Sequence, residues 1–259
     1  EAEARRALEL EPRDGWAVHA ATHVMEMQGR IGEGMAWLES RQGDWAPDNG
    51  FAFHNWWHLA LFYLDAARYD KVLALYDSGV HPEPAPFLLG LIDASALLWR
   101  LHLEGVDVGR RFEAVADEWE RQLPDEAGYY AFNDFHAALA FFACGRSRSA
   151  AQVKEAMART AQGSDDAAAM AREVGMPLLA AAEAFTNAKY AQAIELMEPV
   201  RDIANRFGGS HAQRDLISLT LIEAAIRGRD RRRARHYLAE RRMLKSDASR
   251  WGARLEARA

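Results

Sequence analysis

The chain has 259 residues, 49% of them apolar and 27% charged, with a formal net charge of −6 and a single cysteine, Cys144. That length and apolar fraction supply a substantial buried core and exclude both a disordered chain and a disulfide-dependent mini-protein. One cysteine cannot form an intrachain disulfide, which favours a reducing, cytoplasmic setting, and the longest apolar stretches, such as 137–144, fall far short of the roughly 20 residues that cross a membrane.

Residues 1–12 are charged and amphipathic, unlike the basic-then-apolar start of a signal peptide. Ala4, Ala7, Leu8 and Leu10 before Pro12 have the spacing of a terminating helix, so 1–12 is expected to be the end of a preceding repeat helix and the chain the C-terminal part of a longer one. A short break followed by an amphipathic helix then recurs at Gly29-Arg30, Ala67-Arg68, Gly105-Val106, Gly145-Arg146, Ala188-Lys189 and Gly228-Arg229, about 38 to 43 residues apart. Each break is expected to be the tip of a helical hairpin. The first helices of the hairpins should run through 15–28, 51–66, 87–104, 129–144, 177–187 and 212–227, with loops at 43–50, 79–86, 124–128, 163–166 and 208–210. No alternating run of β-branched residues appears, so no sheet is expected. The resulting architecture is one all-α domain over 1–259, a superhelix of about six α-α hairpins. A solenoid opened at residue 1 leaves an apolar seam for missing N-terminal repeats or a second copy to cover.

From Arg227 onward about 12 Arg and Lys face about 4 Asp and Glu, so the tail is basic and the body acidic. Arg231, Arg232, Arg233 and Arg235 wind around a helix instead of forming one face with interleaved aromatics, which argues against a nucleic-acid partner.

Two histidine pairs carry the chemistry. His19 with His23, and His54 with His58, are spaced by four on expected first helices, where two imidazoles share a face and can chelate one ion. Nine histidines placed at random would give only roughly 0.3 such pairs, so two exceed chance. Counted back from successive tips, His54, Asp93, Asn133 and Asp215 share an offset, as do His58 and His136, and equal offsets line one wall of a solenoid. With Glu26, three residues after His23, the set suits iron, manganese or zinc; histidines alone suit zinc or copper. Asp93 and His136 are candidates for acid, base or orienting groups, and Trp16, Asn55, Trp57, Asn133, His211, Arg214 and Asp215 for ligand contacts. The same pattern is open to a plain reading, in which the histidines are hydrogen-bonded packing groups and no metal is involved. Gly208-Gly209-Ser210 before a helix is either an anion site or a simple cap. Phosphate-binding glycine loops, a Gly-x-Ser-x-Gly elbow and paired-cysteine metal motifs are absent from the sequence.

Four stretches resemble the tetratricopeptide repeat protein 38 family, also called StaR-like: His19-Ala-Ala-Thr-His23-Val-Met-Glu26-Met-Gln-Gly-Arg30, His54-Asn-Trp-Trp-His58-Leu-Ala-Leu, Asn133-Asp-Phe-His136 and Gly208-Gly-Ser-His211-Ala-Gln-Arg-Asp215. The resemblance spans essentially the whole chain and implies a TPR-like repeat fold, with members usually longer at the N-terminus. By analogy with a member of a glycopeptide-antibiotic pathway it suggests an oxygenase. Asn at the position of His211 in some members makes that residue a groove contact and not an obligatory ligand. Two functions stay open. One is a His-rich concave pocket binding a metal ion, a small molecule or both, as a metal-dependent enzyme of oxygenase-like or hydrolytic type. The other is a peptide-binding scaffold without catalysis.

Overall fold

The computed structural model describes residues 1–82, 87–245 and 250–259. Among them every regular element is helical and there is no strand. In chain order the α-helices are α1 (Ala2–Leu10), α2 (Gly15–Met27), α3 (Ile31–Ser40), α4 (Gln42–Trp45), α5 (Ala52–Asp65), α6 (Tyr69–Leu75), α7 (Leu88–Leu103) and α8 (Arg111–Glu126). They continue with α9 (Ala131–Ala143), α10 (Ser147–Thr160), α11 (Asp166–Met170), α12 (Met176–Thr186), α13 (Tyr190–Met197), α14 (His211–Arg227), α15 (Arg231–Leu244) and α16 (Arg250–Arg258). The six expected first helices are α2, α5, α7, α9, α12 and α14, each within a few residues of its anticipated ends.

One local device ends all six. At each tip a residue enters the left-handed region: Gly29 (φ 66°), Ala67 (55°), Gly105 (73°), Gly145 (71°), Ala188 (56°) and Arg229 (60°). The amide of the next residue then reaches back to the carbonyl five positions earlier, as in Arg30 to Met25, Arg68 to Tyr63 and Lys189 to Ala184, at 2.8 to 3.0 Å. This is the Schellman arrangement, which satisfies carbonyls that a helix end leaves open and turns the chain into the following helix.

Three expectations about loops are corrected. Pro124, taken as a loop opener, sits inside the last turn of α8. It removes one amide donor where the helix is already ending, so the cost is confined to its final turn. The loop at 43–50 contains the short α4, closed by the Trp45 indole donating to the Leu38 carbonyl at 2.9 Å. Of the loop at 79–86, residues 83–86 lie outside the described residues, and its start belongs to a π-helical turn, Tyr76–Val80. A second π-helical turn, Ala171–Gly175, links α11 to α12.

The described residues divide into two compact units, Glu1–Leu97 with Leu238–Ala259, and Leu98–Tyr237. In the first, α2 packs on α1, α3 and α5, while α5 also packs on α3, α6 and α16. α3 and α5 approach closely because residue 34 is glycine; a Cβ there would lie 2.2 Å from the Phe62 ring. Trp45 and Trp57 are wholly buried, contributing much of the apolar area that holds this unit together. In the second unit α9 packs on α8, α10 and α12, and α13 on α12 and α14. No helix among the described residues is long and apolar enough to cross a membrane.

The repeated turn gives a direct test. Gly145 has positive φ and open space where a Cβ would go, so Gly145→Ala probes the backbone alone. We expect a loss of about 1 kcal/mol in urea unfolding, and Ala188→Gly, which relieves the same strain, a gain of about 0.5–1 kcal/mol. Equal stabilities for both variants and the parent would contradict the assignment of strain to these tips.

Candidate metal centre

The site is built by α2 and α5. Asp14 caps α2, its carboxylate accepting from the amides of Trp16 (2.9 Å) and Ala17 (3.1 Å). That fixes where the helix starts and so which face carries His19 and His23. Asn49 does the corresponding work before α5: its side chain accepts from the Phe51 amide (3.0 Å) and donates to the Trp45 carbonyl (2.9 Å). The two helices are joined by Asn55, whose amide donates to the Gly15 carbonyl at 3.2 Å. Asn55, a candidate ligand contact, thereby ties α5 to α2, and its own Oδ1 has no partner among the described residues.

The four imidazoles then meet. Ring centroids are 4.3 Å apart for His19 and His23, 4.9 Å for His19 and His54, 5.0 Å for His19 and His58, 4.5 Å for His23 and His58, and 5.0 Å for His54 and His58. One nitrogen from each lies within 4.8 Å of the others, an arrangement that could hold a metal ion. Four points so spaced all fall within about 2.9 Å of a common centre, so bonds of roughly 2.0–2.1 Å need each donor to move by less than about 1 Å.

Burial controls the electrostatics. His54 and His58 are buried and His19 and His23 half-buried, so the cluster has one accessible side. Burial, reinforced by the neighbouring histidines, pushes the His19 pKa down to about 3 and that of His58 well below its ordinary value. Both rings are therefore neutral at pH 7, the form that binds metals. The His54 Nδ1–H donates to Asp93 Oδ2 at 2.5 Å. A carboxylate only accepts, so Nδ1 is the donor in this bond and Nε2 is the nitrogen left for a metal. Trp57 stacks on the His54 ring, 5.3 Å between centroids and 11° between planes, which further fixes its orientation. Among the described residues neither nitrogen of the buried His58 has a hydrogen-bond partner, nor does His19 Nε2.

Glu26, expected among the ligands, lies outside this group: its Oε1 is paired with Lys245 Nζ at 2.7 Å. Asp65 shares the same ammonium at 3.2 Å. Phe51 packs against the cluster, 5.0 Å from His19 and 5.1 Å from His54, and Trp16, itself 64% exposed, stacks on Phe51 at 3.8 Å.

The remaining expected residues belong to the second unit. His136 is buried on α9, its Nδ1–H donating to the Phe132 carbonyl at 2.8 Å while Nε2 has no partner among the described residues; burial lowers its pKa to about 4. Asn133 is buried one turn earlier. His211 opens α14 with its Nδ1 unpartnered among the described residues, Asp215 is half-buried, and Arg214 donates to the carbonyls of Gly208 and Gly209. At 208–210 the outcome is a cap: Ser210 and Gln213 form a reciprocal capping box.

No protein-family model matches the chain, and no solved structure gives a match. Sequence reasoning missed Lys245 and Asp65. Asp65 is seven residues after His58, two turns along the same face, and that spacing was a usable signal. Lys245 is 180 residues from Asp65, and no local pattern marks it.

The pKa shifts fix a pH dependence for the metal-free protein. His19, His58 and His136 have folded pKa values below the unfolded value of about 6.5, so as pH falls through that value the unfolded chain takes up protons that the folded one refuses. Stability is therefore present above about pH 6.5 and lost below it. Burial lowers the His102 pKa in the same sense, and Asp134, raised to about 7 by burial, acts in the opposite direction but is one group against four. Urea midpoints should be level above about pH 7 and decline between about pH 6.5 and 4.5, above the usual carboxylate range. A level midpoint across that window would contradict neutral, desolvated imidazoles.

Proposed function

We propose that the protein is a metal-binding helical-repeat protein in which His19, His23, His54 and His58 coordinate one transition-metal ion, and that a small molecule reaches the ion past His19 and His23. The observation that carries this is His58: an imidazole with almost no exposure and, among the described residues, no hydrogen-bond partner on either nitrogen. Buried polar groups are almost always satisfied, and an ion bound by one nitrogen supplies a missing interaction. Asp93 supports the same reading, because a carboxylate on the far nitrogen of a ligating histidine orients it and raises its basicity.

Since Glu26 is engaged by Lys245, the donor set is nitrogen only, which favours zinc or copper over the harder ions that carboxylates attract. A metal there supplies Lewis acidity toward water or a bound small molecule, the basis for a hydrolytic or oxygenase-like activity. Trp16 and Phe51 form an apolar lip beside the cluster. The six equivalent helix ends support a TPR-like solenoid, as does the resemblance to the tetratricopeptide repeat protein 38 family.

Elemental analysis of protein isolated without an affinity tag should find close to about one equivalent of zinc or copper, and chelation should lower its melting temperature. Less than about a tenth of an equivalent, with melting unchanged by chelator, would remove the metal and leave the plain packing role for these histidines. Asp93→Asn should weaken metal binding by about 10- to 100-fold while the four ligands remain in place, measured by competition with a chromophoric chelator.

A further inference from the structure

Beneath the histidine cluster, three charged side chains meet with almost no access to solvent. Lys245 Nζ lies 2.7 Å from Glu26 Oε1 and 3.2 Å from Asp65 Oδ2, with side-chain exposures of 8%, 2% and 5%. Glu26 follows His23 by three residues on α2, and Asp65 follows His58 by seven on α5, so each carboxylate continues the helical face that bears the ligands. One ammonium thus spans the two ligand-bearing helices. We propose that Lys245 is a positioning residue of the histidine cluster, tying α2 to α5 through Glu26 and Asp65 so that the two histidine pairs face one ion. This rests on the metal-binding role of those histidines.

A further observation supports it. Lys245 follows α15 in the segment Leu238–Ala259, which belongs to the same compact unit as α2 and α5. The C-terminal segment is then a component of the metal-binding unit and not a detached basic tail.

The test compares zinc affinity, by chelator competition, and the visible spectrum of cobalt-loaded protein for the full chain and its Lys245→Met, Lys245→Arg and Val153→Ala variants. Val153 is a buried residue of the other unit and controls for lost stability alone. Lys245→Met should weaken zinc binding by about 10- to 100-fold and alter the cobalt bands, while Lys245→Arg stays within about threefold and Val153→Ala is unchanged. Should Lys245→Met fail to fold, Asp65→Asn, which leaves Lys245 paired with Glu26, carries the same comparison and the same expected loss. A Lys245→Met, or in its place an Asp65→Asn, that binds zinc as the parent does with an unaltered cobalt spectrum overturns the proposal alone. A parent that binds no zinc or cobalt overturns the metal site as well.

Discussion

Packing four imidazole rings, two of them buried, to within about 5 Å of one another sets the electrostatics of the first unit. Each ring that kept a proton there would lose hydration and face like charges from its neighbours, so the two whose shifts are resolved, His19 and His58, are held neutral. A neutral ring still needs one donor and one acceptor partner. Asp93 supplies an acceptor at His54, and among the described residues neither nitrogen of His58 has a partner. The surrounding structure keeps the rings in this state. Asn55 and the close contact of Gly34 with Phe62 hold α2, α3 and α5 together, and Lys245 joins α2 to α5.

The second unit supplies a natural contrast. His136 occupies the repeat offset of His58 and is as deeply buried, yet its Nδ1–H is taken up by the Phe132 carbonyl one turn back. Equal places in a repeat therefore do not give equal chemistry. What distinguishes His58 is that three of the rings around it are histidines; the rings beside His136 are Phe132 and Phe135.

Helix positions were legible because their ends are written locally. Gly29, Gly105 and Gly145 mark left-handed residues by composition, while Ala67, Ala188 and Arg229 do so only through the period they share with the glycines. The spacing of His19, His23, His54 and His58 was enough to place their rings together, since i, i+4 pairs on packed helices have few other options. Partner choice was not legible. Glu26 has the spacing of a ligand, but a lysine from the C-terminal segment takes its carboxylate, and Asp93 orients His54, a role that helical spacing cannot tell from acid or base. Asn55 faces α2, a choice made by the packing of two helices. The π-helical turns at Tyr76–Val80 and Ala171–Gly175 also escaped, because one extra residue per turn leaves little trace in an apolar period.

The most direct test of a nitrogen-only centre is X-ray absorption at the metal edge of the zinc-loaded protein. Convergence of His19, His23, His54 and His58 predicts a first shell of four nitrogens at about 2.0–2.1 Å with the outer-shell scattering of imidazole rings. A first shell dominated by water or carboxylate oxygen, without imidazole scattering, would contradict it.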